Sequence, residues 1–275
     1  MLTQRELTAL LRAHGLRLTK RLGQHHLIDP RIIERVAASC ALSRSDTVVE
    51  IGAGLGALTE PLAQRAGQVL AVEVDRAIAA LLTQRMASSA NVTVLCQDIL
   101  NFSWEDVTGP LVVVGAIPYH VTSPIIVELT ERRRRIHHAV LIVQDEVARR
   151  LAATPGTKAY GRLSVLAQYG WDLAVLFRVS RRAFFPSPQV DSACVRFSRR
   201  SKPPIGVEQE ARFFDVVKAA FAHRRKTLVN SVSRDERLGL TRARAEALVR
   251  ELGLPVAVRG ETLTLQQFAR LANLL

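Results

Sequence analysis

The sequence predicts an α/β fold, a largely parallel sheet with helices on both faces, followed by a small all-helical domain. Three observations carry this. Between Thr47 and Gln144, short β-branched apolar runs alternate with amphipathic segments. A glycine-rich turn directly follows the first of these runs, where doubly wound folds place a ligand loop. The stretch Ser198–Gly206, with two prolines and three basic residues, then separates the alternating half from purely helical patterns. A chain of 275 residues that is 48% hydrophobic can bury two cores, which we expect in residues 1–200 and 201–275.

In order, strands are expected at Thr47–Ile51, Val69–Val74, Val92–Leu95, Leu111–Ile117 and Ala139–Val143, each a run of strand length rich in Val or Ile. Between them, Ala57–Ala66, Arg76–Met86 and Pro124–Arg133 carry helical spacing of apolar residues. After Asp145–Ala153, the apolar runs Ser164–Gln168, Leu173–Val179 and Asp191–Phe197 are expected to close the sheet with antiparallel members. Beyond the linker, Glu208–His223, Thr241–Leu252 and Leu265–Leu274 read as helices.

Lys and Arg number 38 against 25 Asp and Glu, a formal net charge of +13, which favours a polyanionic partner. The apolar stretches are too short and too often interrupted by charge to span a membrane, and the N-terminus has no apolar secretion core, so a cytoplasmic protein is expected. Cys40, Cys96 and Cys194 have no paired spacing, and are read as reduced core or near-core thiols with no metal site.

The turn after the first strand reads Glu50-Ile-Gly52-Ala-Gly54-Leu-Gly56-Ala57, where glycines let the backbone turn sharply and a ligand approach closely. It suits a dinucleotide as well as S-adenosylmethionine. Glu73, 21 residues past Gly52, would bond ribose hydroxyls under either reading. Asp98 after the third strand would accept from an adenine amino group, or simply cap a turn. The fourth strand runs into Ala116-Ile117-Pro118-Tyr119. Methyltransferases acting on an aromatic amine use Asn or Asp, an apolar residue or Pro, Pro, then an aromatic at such a place. Side-chain and backbone carbonyls accept from the amine and aim its lone pair, while the ring stacks on the base. A dehydrogenase has no need of that second station.

Five ordered blocks resemble one family: Gly23–Leu27, Val49–Thr59, Lys158–Val165, Phe184–Ser192 and Phe221–Leu228. From about Leu18 to the C-terminus the chain is similar to the ribosomal RNA adenine dimethyltransferases of the KsgA type. The resemblance implies a Rossmann-like class I S-adenosylmethionine-dependent methyltransferase sheet and a C-terminal rRNA-binding helical domain. It implies a monomer that methylates two adjacent adenines near the 3′ end of small-subunit rRNA on pre-30S particles. Carried across, Gln24, His25, Leu27, Gly52, Gly54, Glu73, Asp98, Ile99 and Ala116 would surround the donor. Ala116, Ile117, Tyr119 and Phe184 would form the catalytic pocket, with Tyr119 and Phe184 sandwiching a flipped adenine. Phe185 is read as core. Arginines at segment ends, Arg132–Arg135, Arg149-Arg150, Arg181-Arg182, Arg199-Arg200 and Arg224-Arg225-Lys226, would together grip phosphates.

Two positions depart from the family pattern. His26 stands where Phe is usual, and Ala116 where the catalytic Asn is expected. A methyl cannot accept a hydrogen bond, and losing such a contact lowers rate by about 10²–10³. The sequence therefore leaves two functions open, a slow dimethyltransferase and a non-catalytic rRNA-binding assembly factor.

Overall fold

The computed structural model describes residues 3–16, 25–202, 204–223 and 225–275, without the side chain of His120. In chain order the elements are α1 (Gln4–Ala13), β1 (His26–Leu27), α2 (Pro30–Ser39), β2 (Thr47–Ile51), α3 (Thr59–Ala63), β3 (Gln68–Glu73), α4 (Arg76–Arg85), β4 (Val92–Cys96), β5 (Leu111–Ala116), α5 (Thr122–Glu131), β6 (Ile136–Gln144), α6 (Asp145–Leu151), α7 (Arg162–Gly170), β7 (Trp171–Val179), β8 (Phe184–Phe185), β9 (Ser192–Arg199), α8 (Glu210–Ala222), α9 (Leu228–Val232), α10 (Arg242–Glu251) and α11 (Leu265–Asn273). They form two compact units, residues 1–148 with 172–199, and residues 149–171 with 200–275.

The first unit holds a seven-stranded sheet in the order β4-β3-β2-β5-β6-β9-β7. Strands β2 to β6 pair in parallel and β9 runs antiparallel to β6, as the sequence predicts. From β2 the chain winds outward through β3 and β4, then crosses to β5 on the other side. The carboxyl ends of β2 and β5 therefore flank a topological switch point, the usual crevice for a ligand. On one face Val48, Val112, Val114, Val140 and Ile142 pack against Ile33 and Val36 of α2 and Leu62 of α3. Asp29 caps α2 by accepting from Arg31 N (2.9 Å), ahead of Pro30, whose missing N–H costs nothing at a helix start. Leu82 of α4 and Met86, which caps that helix, cover Ala71 of β3. Helix α1, with a Thr3–Glu6 capping box, lays Leu7 and Leu11 on Leu55, Ile78 and Leu81.

The second unit is helical. Tyr169 of α7 stacks on Phe213 of α8 with centroids 4.6 Å apart, and Tyr160 donates its hydroxyl to Leu263 O at 2.9 Å. Ser164–Gln168, expected as a strand, lies inside α7. Ser164 through Ala167 are all buried, so no exposed face marks the helical period, and the three apolar residues Val165, Leu166 and Ala167 read equally well as a strand. Residues 149–171, placed by the sequence before its boundary at 200, pack with the C-terminal helices instead.

Two further expectations are corrected. Cys40 and Cys194 are buried free thiols, both pushed up to about 12 by burial, but Cys96 at the end of edge strand β4 is exposed. The run Arg132–Arg135 is largely engaged by the protein itself. Arg132 pairs with Glu105 (2.5 Å) and Glu128 (3.1 Å), buried Arg133 donates to Thr130 O (3.0 Å), and Arg135 donates to Val107 O (2.7 Å). Arg224 lies outside the described residues.

Candidate active site

Beyond β2 the chain turns at Gly52 (φ +67°) and again at Gly54 (φ +57°), in the left-handed region that L-residues with side chains avoid. At Gly54 space adds a second constraint, since a Cβ there would sit 2.9 Å from His26 Nδ1. The loop is fixed from below by Glu73. This buried carboxylate at the end of β3 accepts from Gly54 N through Oε2 and from Asp75 N through Oε1, both at 2.9 Å. Burial pushes its carboxyl up, partly offset by the bonds to Asp75 and Gly54. Helix α3 begins only at Thr59, shorter than expected.

Under this loop lies a cavity lined by Leu7, His25, His26, Leu27, Glu50, residues 52–58, Arg85 and Ala116. Glu50 on β2 is buried and accepts from Thr59 Oγ1 at 2.6 Å; burial, only partly opposed by that bond, pushes its carboxyl up to about 8. His26 is buried with Nε2 lacking a partner among the described residues, and desolvation holds its imidazole down at about 4. Neither Glu50 nor His26 was singled out as a cavity group by the sequence. The 2-residue spacing of Glu50 before Gly52 was the available signal, but a strand residue's burial follows from its neighbours.

A second, smaller cavity is lined by His25, Ala116, Ile117, Pro118, Tyr119, Ile142, Phe184 and Ser192. It and the first share His25 and Ala116. Ala116 ends β5, and Ile117 N donates to Ile142 O (3.0 Å), which holds the turn against β6. Tyr119 is half-buried, its hydroxyl 3.1 Å from Ser192 Oγ; burial pushes its phenol up. His25 Nδ1 lies 2.7 Å from Pro186 O, and its ring centroid is 5.8 Å from that of Tyr119. Phe184 arrives through a two-stranded ribbon in which Leu27 pairs with Phe184 and His26 with Phe185. Phe185, read as core, is partly buried and packs against the cluster of Leu7 and Leu55.

The structure thus brings together His25, Leu27, Gly52, Gly54, Ala116, Ile117, Tyr119 and Phe184 around two adjoining cavities. Glu73, Asp98 and Ile99 line neither. Asp98 is exposed and its Oδ1 accepts from Leu100 N (3.0 Å), capping a short 3₁₀ turn, while Ile99 is buried. Gln24 lies outside the described residues.

A loop that turns on two left-handed glycines, over a cavity at the switch point, fits a ligand that the loop backbone approaches closely. The ribosomal RNA adenine dimethylase family model matches residues 15–275. The chain is 40% identical over 274 residues to a ribosomal RNA small subunit methyltransferase A from Geobacillus sp. (strain WCH70), covering 97% of this chain and 94% of that protein. It is 39% identical over 277 residues to the protein of that name from Enterococcus faecalis (strain ATCC 700802 / V583), covering 97% and 93%. Among solved structures, the 23S rRNA methyltransferase ErmE shares 31% identity with a TM-score of 0.64, covering 90% of this chain and 98% of that one. A dimethyladenosine transferase from Plasmodium falciparum shares the fold, with a TM-score of 0.73 at 23% identity and coverage of 90% and 96%. The sheet is that of a class I methyltransferase, and the chain belongs to the ribosomal RNA adenine dimethylase family.

Proposed function

We propose that this protein transfers methyl groups from S-adenosylmethionine to the 6-amino groups of two adjacent adenines near the 3′ end of small-subunit rRNA. It does so as a monomer, on assembling subunits in the cytoplasm. The observation that carries this reading is the meeting of a glycine-cradled cavity and an aromatic-lined cavity at His25 and Ala116, within a chain of this family.

S-adenosylmethionine supplies an electrophilic methyl group on a sulfonium centre. The chain's own residues do the rest by positioning. Gly52 and Gly54 let the loop backbone approach the methionine part, and Glu73, anchored by two amides, keeps lone pairs for ribose hydroxyls. Asp98 keeps Oδ2 for the adenine amino group and Ile99 contacts its ring. Tyr119 and Phe184 stack on the target base, worth about 1–3 kcal/mol per base. The Ile117 carbonyl accepts from the amine and turns its lone pair toward the methyl group. Residues 201–275 contribute to rRNA binding, together with the exposed arginines.

Ala116 favours a second reading, an assembly factor that binds donor and rRNA without turnover. Transfer of labelled methyl groups to under-methylated small subunits, beside the Ala116→Asn variant, separates the two. We expect dimethyladenosine from the wild-type protein. Donor binding with no product from wild type, and product from Ala116→Asn, would leave the assembly-factor reading; no product and no donor binding by either would remove the function.

A further inference from the structure

The smaller cavity contains three polar side chains, those of His25, Tyr119 and Ser192. Two of them are committed to each other, with Tyr119 Oη 3.1 Å from Ser192 Oγ. Of the backbone carbonyls at the turn, Pro118 O already accepts from Thr122 Oγ1 and Val121 N, both at 3.1 Å. Ala116 offers only a methyl group. An aromatic amine has two N–H groups, so after the Ile117 carbonyl takes one, the other requires a side-chain acceptor.

His25 has one. A carbonyl oxygen can only accept, so the 2.7 Å contact with Pro186 O puts the ring proton on Nδ1. Neutral His25 then carries its lone pair on Nε2. The ring lies beside Tyr119 and borders both cavities, where the amine must sit to meet the donor.

We propose that His25 is a catalytic residue whose Nε2 accepts a hydrogen bond from the target amine, supplying the side-chain acceptor that Ala116 lacks. The proposal rests on the adenine methyltransferase reading above. In the reaction the amine lone pair forms a bond to the methyl carbon while the carbon–sulfur bond breaks, its electrons passing to sulfur. The nitrogen becomes cationic, its N–H groups become stronger donors, and a fixed lone pair stabilises that state more than the ground state. The surplus proton passes along the hydrogen bond to Nε2 and then to solvent, to which half-buried His25 is open.

The test is a double-mutant cycle on methyl transfer to under-methylated small subunits, with donor affinity measured by calorimetry. His25→Phe should lower kcat by about 100-fold at saturating donor, a loss that any change in the donor Kd does not account for. His25→Gln, whose amide oxygen can reach the place of Nε2, should stay within about tenfold of wild type. In the Ala116→Asn background, where the side-chain amide supplies the acceptor, His25→Phe should cost less than about fivefold. If His25→Phe proves unfolded by thermal melting, His25→Ala with added imidazole replaces it, and rescue of at least about tenfold is expected. Equal losses in both backgrounds, a loss confined to donor Kd, or no rescue would overturn the proposal. Inactive wild type beside active Ala116→Asn overturns it too and leaves the methyltransferase reading standing. Inactivity of both proteins removes that reading as well.

Discussion

Glu50 lines the larger cavity, with a neighbouring carboxylate, Glu73, and one hydroxyl donor. A buried carboxyl whose value rises from 4.5 to about 8 keeps its proton at neutral pH. The unfolded chain releases that proton near the ordinary value, so between about 4.5 and 8 the folded state binds more protons. This contribution to stability is fully present below the lower limit and is lost as pH rises to the upper one. Urea unfolding at pH 5 and pH 8 should show it as a decline on the order of a few kcal/mol, since each unit is about 1.4 kcal/mol, and Glu50→Gln should flatten the decline. A steeper slope in the variant would show that other groups set the pH dependence. At this scale motif spacing pointed to Gly52, Gly54 and Tyr119, and the family resemblance to Phe184, all of which line the two cavities. It did not reveal that Glu73 ties down the very loop it follows, since that bond depends on β2 and β3 pairing in register, Ile51 beside Val72.

The ribbon of β1 and β8 is the element on which both cavities depend, because it presses His26 against the glycine loop and delivers Phe184. Strands of two residues have no periodicity, so the sequence offered both blocks as motifs without showing that they pair. The loop and the ribbon are in contact at Gly54. Gly54→Ala should therefore carry two penalties, a left-handed backbone strain of roughly 1–2 kcal/mol and a collision with His26 Nδ1. Donor affinity should fall at least about tenfold, and adding His26→Ala should recover the steric part while the backbone part remains. Calorimetry with parallel thermal melts reads both. Full recovery in the double variant would mean that the backbone tolerates the left-handed conformation there; no recovery would mean that His26 yields without cost. The short strands β2 to β5 were legible to within one or two residues because each is a run rich in β-branched residues, buried in β2, β3 and β5 and only partly so in edge strand β4. Helix α7 was not, for the same reason inverted: its burial all round removes the polar face that would reveal a helix.

The chain passes from the first unit to the second at residue 149, returns at 172 and leaves again at 200. Composition showed two cores and a basic linker, but a contact-defined boundary is a property of pairing and cannot be read from a local change in residue type. Truncation after Arg199 would remove α8 and α11, leaving Tyr169 of α7 without Phe213 and Tyr160 without the Leu263 carbonyl. The shortened protein should bind a hydrophobic dye and scatter light at concentrations where the full chain stays clear. A clear, dye-negative solution would show that residues 149–171 are stable without the helices that follow. The same threading limits how such proteins can be recombined. A chimera of two relatives joined once, at the basic linker, would couple one parent's residues 149–171 to the other parent's helices. Only an exchange with three junctions would pass the helical unit on intact.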